Sequence, residues 1–262
     1  MFDADICSYA VDTQLISLIS HLHTRLEEWM TTWALSLAQK RALLLTFTQL
    51  LEQVGQQKQS LSVSTQFFKT FQHEVSIDNA VEELMIKAVV NAINSPAEAY
   101  TDRAALLEAF AGFKLTSSWT VLLSLLKIVV EGSLEDFTRF HAKHAGGIFA
   151  QYALNKEDLE YKMKLLSLAT LASQLTTAER VLSFADIANA LKIAPEEVEL
   201  WVIEAIGSHL LDASIDQLSG RVTVSRYAHR SFTASHWKAI QAKLRELRTT
   251  LAYVQEQIEI TA

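Results

Sequence analysis

Cysteine occurs once in this 262-residue chain, at Cys7, and proline only twice. A lone thiol forms no internal disulfide, which removes the disulfide-stapled secreted folds and suits a reducing compartment. Seven glycines and two prolines are too few turn formers for a sheet-rich or loop-rich domain, so the composition turns toward helix. Basic charge is also short. Lys and Arg number 23 against 30 Asp and Glu, a net −7 that argues against general affinity for a phosphate backbone. Residues 161–262 carry 11 side chains of each sign, so the acidic excess lies before them. No apolar run is long enough for a bilayer; the stretch from Trp119 to Val130 is short and interrupted. The opening MFDADICSYA has no basic start and no sustained apolar stretch, unlike a secretion signal. A cytosolic or nuclear protein without membrane contact is expected.

Catalytic and metal constellations are missing as well. There is no Gly-x-Ser-x-Gly elbow and no glycine loop to cradle a phosphate. His141 and His144 are three apart on an expected helix, but only Asp136 is near and no cysteine or acid cluster completes a ligand set. His21 and His23, two apart, face different sides of a helix, and Cys7 has no nearby histidine in sequence to activate it. The expectation is a non-enzyme with no cofactor and no metal. Trp29, Trp33, Trp119 and Trp201 read as core fillers, the first two sharing a face at i, i+4.

What is present is amphipathic helix, segment after segment, from about Asp12 to Glu160. In Ile77–Ile93, Ile77, Ala80, Val81, Leu84, Met85, Ala88, Val89 and Ala92 recur at helical spacing, with Glu82, Glu83 and Lys87 outside the stripe. Further helices are expected at Thr24–Leu37, Ala38–Val54, Ser64–Gln72, Thr101–Phe110, Ser118–Val130 and Ser133–His144. Breaks fall at Gly55, Asn94-Ser95-Pro96, Gly112 and Gly132-Ser133, and Ser133 with Asp136 has capping-box spacing. Such helices with short connections stack as hairpins, and the expected first part, residues 1–160, is a right-handed stack of this kind.

The grammar changes near Lys162. A helix at Lys162–Leu175 is apolar nearly all round and should be buried. A short strand at Arg180–Phe184 follows, then a helix at Ala185–Leu191 capped by Ser183 with Asp186. Pro195, Glu196 and Glu197 open a longer helix to about Leu211. Ala213–Asp216 and Arg221–Ser225 flank a Ser219-Gly220 turn, with Ile215, Val222 and Val224 alternating with polar neighbours, which predicts a β-hairpin. That order is a winged helix, residues 161–232. A last helix, within 233–262, places Trp237, Ile240, Leu244, Leu247, Leu251, Val254 and Ile258 at three- and four-residue steps.

A mostly α plan in which a helical-hairpin stack feeds through a buried helix into a winged helix, with a long C-terminal helix, resembles PCI-domain proteins. Three stretches are similar to the m-subunit family of eukaryotic translation initiation factor 3. They are Tyr161-Lys-Met-Lys-Leu-Leu-Ser-Leu-Ala; Val198-Glu-Leu-Trp-Val-Ile-Glu-Ala-Ile; and Ile215 to Ser225 followed by Arg226-Tyr-Ala-His-Arg-Ser-Phe and Trp237. Leu26-Glu-Glu-Trp29 with Trp33, and Phe110 through Leu115, are similar more loosely, and Gly146-Gly147 departs from the family's pattern. The family's N-terminal portion is longer than this chain's. The resemblance implies a cytoplasmic, non-catalytic scaffold with other PCI and MPN subunits as partners and the small ribosomal subunit reached through the complex. A PCI subunit of the proteasome lid or signalosome is the alternative.

The candidate contacts are Ile215, Arg221, Val222, Val224, Arg226 and Arg230 on the wing and Leu244, Leu247, Leu251 and Val254 on the last helix. A sheet edge offers backbone groups to another strand, a pairing mode the resemblance implies, and an apolar seam seeks another helix. DNA is not expected: the longer winged-helix helix carries Glu196, Glu197, Glu199 and Glu204 and no Lys or Arg. RNA contact by Arg221, Arg226 and Arg230 with His229 is the weaker alternative to a protein surface, since no exposed aromatics interleave them.

Overall fold

The computed structural model describes residues 25–53, 55–71, 78–97, 100–110, 113, 117–144, 147–175, 180–230 and 234–261. Cys7, His21, His23, Ile77, the Gly112 break, Leu115, Gly146 and Ser231-Phe232 lie outside them.

Among the described residues eight helices come first: α1 (Leu26–Thr32), α2 (Leu37–Gln53), α3 (Gln57–Lys69), α4 (Asn79–Asn94), α5 (Tyr100–Phe110), α6 (Ser117–Glu131), α7 (Leu134–His144) and the single turn α8 (Ile148–Gln151). Helix α2 packs on α3, and α3 and α4 each pack on the helix two places on, α5 and α6 respectively. That is the contact order of stacked hairpins. On α4 the expected stripe is inward from Met85 on, with Met85, Ala88, Val89, Ala92 and Ile93 buried, while Ala80 near its start is exposed. An aromatic file crosses the stack: Phe68 lies 5.0 Å from Phe110, which meets Trp119 edge-on at 4.9 Å. Each such pair contributes about 1 kcal/mol beyond the area it buries.

The winged helix follows as expected in order: α9 (Lys156–Ser173), β1 (Val181–Ser183), α10 (Phe184–Leu191), a 3₁₀ turn at Pro195–Glu197, α11 (Val198–Gly207), β2 (Leu211–Asp216) and β3 (Arg221–Tyr227). The sheet is antiparallel with order β1-β3-β2. Gly220 closes the hairpin at φ 62°, a region where a Cβ is strained. Both expected caps form. Ser133 and Asp136 exchange hydrogen bonds at the start of α7, and the Ser183 hydroxyl accepts from the Asp186 amide while donating to its carboxylate.

Four boundaries differ by four residues or more. Helix α1 stops at Thr32, five residues short of the expected end, because Ala34 turns left-handed at φ 45°. Helix α3 starts at Gln57, seven residues early, inside the polar run read as a break. Helix α9 starts at Lys156, capped by the Asn155 side chain, and so runs through residues 160 and 161. Helix α11 ends at Gly207, not Leu211: His209 is left-handed at φ 53° and Leu211 opens β2. Among the tryptophans, Trp119 is fully buried, whereas Trp33 is half exposed and stacks on Trp29 at 5.6 Å.

Residues up to Arg230 form one compact unit; those from Ser231, including the 28-residue helix α12 (Ala234–Thr261), form another. Among the described residues no helix is long and apolar enough to cross a membrane.

Candidate functional site

The sheet positions the wing residues, and it divides the expected contacts sharply. Strand β3 is central, so its backbone is taken on both sides, by β1 and by β2. Val222 and Val224 point inward and are 1% and 2% exposed; they are core residues, and the expectation that they face a partner is corrected. The alternation that marks a hairpin is the same alternation that buries every second side chain. Ile215, opposite Val222, also packs against the core. The exposed edge of the hairpin belongs to β2, where Ser214 and Asp216 face solvent.

The three arginines do not form a basic cluster. Arg226 is ion-paired with Asp212 across the hairpin. Arg221 is exposed opposite Asp216, whose carboxyl is held below its ordinary range by hydrogen bonds from Ser219 and, less strongly, by Arg221. Arg230 has left the surface, a second correction. Its guanidinium donates to the backbone carbonyls of Gly132 at 2.9 Å, Val129 at 2.7 Å and Ile128 at 3.4 Å, with the Thr170 hydroxyl at 3.4 Å. Val129 and Gly132 lie at the end of α6, where intrahelical donors run out, while Ile128 already accepts from the Gly132 amide at 2.8 Å; Arg230 thus caps that helix. Burial pushes its pKa down to about 10, which leaves it charged at neutral pH. Gly132 permits the tight exit here, since a Cβ would come within 2.7 Å of the Ile128 oxygen.

A parallel arrangement closes α4. Arg103, 1% exposed, donates to the carbonyls of Ala92, Ser95 and Pro96. From α9, Lys162 Nζ donates to Asn94 at 2.7 Å and Ile93 at 3.2 Å. The Lys162 contact joins positions nearly seventy residues apart, whereas Arg103 reaches back only 7 to 11 residues, across the break at Asn94-Ser95-Pro96. Burial, with Arg103 close by, lowers Lys162 to about 8. Below that pH it is charged in the folded and unfolded chain alike. Above it the folded chain sheds the proton while the unfolded chain keeps it up to about 10.5, so the stability of the native chain relative to Lys162→Met should rise from pH 8 to 10. After discounting for its partial exposure the gain is about 1 kcal/mol. Urea melts of both proteins across that range check it, and a flat or falling difference would contradict it.

On α12 the expected seam is largely exposed. Leu244, Leu247 and Leu251 are 54–60% exposed, Val254 45%, and Trp237 and Ile240 continue the row. Their 3-4-3-4 spacing is a heptad seam, narrower than the face a helix turns to a globular core. The positions beside it carry Gln241, Lys243, Arg248, Thr250, Gln255 and Gln257, with no acid among them.

His141 and His144 pack on Phe149 and Phe140, ring centres 4.9 and 4.7 Å apart. Among the described residues no group of three or more His, Cys, Asp or Glu is placed to hold a metal ion.

The PCI domain family matches residues 141–226, from the end of α7 through most of β3. Eukaryotic translation initiation factor 3 subunit M of Neosartorya fischeri is 30% identical over 252 residues, covering 94% of this chain and 52% of that protein. The subunit M protein of Phaeosphaeria nodorum is 27% identical over 235 residues, 90% of this chain and 52% of that one. That of Emericella nidulans is 30% identical over 245 residues, 91% and 53% respectively. The chain thus spans about half the length of the curated relatives it matches. With the winged helix in place, the chain carries a PCI domain match over residues 141–226 and is similar over nine-tenths of its length to subunit M of eukaryotic translation initiation factor 3.

Proposed function

We propose that the chain is a non-catalytic scaffold subunit of eukaryotic translation initiation factor 3, cytoplasmic, that assembles with other PCI and MPN subunits and supports formation of the ribosomal preinitiation complex. The carrying observation is a pair of bare attachment elements on a PCI chain, the outer edge of β2 and the apolar row of α12. An unpaired strand edge accepts a strand, and an exposed heptad row accepts a helix. The division of labour follows the three parts of the sequence: residues 1–160 as stack, 161–232 as winged helix, 233–262 as assembly helix. The small ribosomal subunit is reached through the complex.

Proline placed on β2 tests the edge. Successive backbone N–H groups of a strand point to opposite sides, so Ala213→Pro and Ser214→Pro remove one inward and one outward donor between them. The variant that keeps the parental melting temperature is expected to lose co-purification with PCI siblings by at least about tenfold. Full recovery of siblings with that variant would sink the edge-pairing reading.

A further inference from the structure

Helix α11 is apolar on two sides. Val198, Val202 and Ala205 are fully buried and face inward, packing the helix on α9. On the other side Leu200 and Ile203 are 60% and 52% exposed, next to Glu204 and Gly207. A helix apolar all round is ordinarily covered all round. The patch extends in both directions. On one flank Tyr161 lies against Trp201 at 5.2 Å and donates its hydroxyl to Glu204 at 2.9 Å. On the other, Gln217 donates to Glu199 at 3.1 Å, holding the wing turn and its fully exposed Leu218 beside the helix. Glu196 and Glu197 are exposed at the leading end.

We propose that this outer face of α11, with the wing turn, is a docking surface for a basic amphipathic helix of a protein partner. In a winged helix this face would meet a nucleic acid, and here its chemistry is inverted. The ring of carboxylates around Leu200 and Ile203 repels phosphate and attracts Lys and Arg, while the leucine and isoleucine give an apolar strip for a helix laid alongside. A partner helix with an aliphatic stripe flanked by Lys and Arg matches both features. The residues named here are different from those of the β2 edge and the α12 row, so the proposal stands or falls independently of the proposed function.

The test uses the full chain and a fluorescent designed helix with a leucine stripe flanked by Lys and Arg, next to a twin whose flanks are Glu. The basic helix should bind, and Leu200→Ser with Ile203→Ser should weaken it by at least about tenfold, about 1.4 kcal/mol. Both residues are already exposed, so the melting temperature should hold. Glu196→Gln with Glu197→Gln provides a second variant that removes charge alone and should weaken binding severalfold. Leu244→Ser with Leu247→Ser on α12 should leave it unchanged. The proposal is overturned if the Glu twin binds equally, if the loss follows the α12 substitutions, or if duplex DNA displaces the helix. A dimer that dissociates in the Leu200/Ile203 variant would overturn it also, by naming a second copy as the occupant.

Discussion

Replacing Arg230 with alanine is expected to cost about 3 kcal/mol of folding stability and to lower the melting temperature by about 6–12 °C. Two close hydrogen bonds and two longer ones are lost together, and the carbonyls of Val129 and Gly132 lose their close donors in a site largely closed to water. Charged donors to such carbonyls are worth more than neutral ones, and leaving the acceptors unmade costs more than the bonds return on average. Arg230→Lys should recover part of the loss, since one ammonium reaches fewer carbonyls than a planar fork. Thermal melts of the three proteins at neutral pH decide the matter. A shift under 2 °C for the alanine variant would mean that solvent caps α6 as well as the guanidinium does.

The second large effect concerns assembly and leaves folding alone. Leu247→Asp with Leu251→Asp places two carboxylates on the row along α12, at positions more than half exposed in the chain by itself. Exposed substitutions of this kind change stability by about 0.5 kcal/mol or less. In a closed helix seam the same carboxylates would be stripped of water, each costing several kcal/mol, so partner affinity should fall by about 1000-fold or more. Gel filtration of the co-expressed subunits and circular dichroism of the isolated chain separate the two readings. Retained helicity with loss of co-elution is expected, and intact co-elution would show the row to be dispensable.

Local chemistry made the winged helix legible. Ser183 with Asp186, Pro195, the Ser219-Gly220 turn and the alternation of Val222 and Val224 each act within a few residues, and each is found where the pattern put it. Helix α3 hid its start for a physical reason. Its inner face includes Ser60, Ser64 and Thr65, all buried, which look polar in a hydrophobicity pattern. Ser64 and Thr65 donate back to the Leu61 carbonyl within the helix, so they enter the core with their hydroxyls satisfied. The proposed docking surfaces were legible only in part. The α12 row follows from spacing alone, but the fate of the wing arginines did not. Arg230 caps carbonyls about a hundred positions earlier, and the exposure of Leu200 and Ile203 depends on which side of α11 the buried α9 occupies.

Strand β2 is only six residues long, about 20 Å of edge, and the ladder behind it shifts register where Ser225 of β3 is passed over between Asp212 and Ala213. A guest strand laid there gains few backbone bonds, too few to hold it for long by themselves. Such a short handhold resists runaway sheet growth between stray copies, and it becomes useful only when a second attachment keeps the guest nearby. On the proposed assembly, commitment to a partner would be a product of two modest contacts in which either alone is readily reversible, a way to let go of wrong neighbours before the right one is kept.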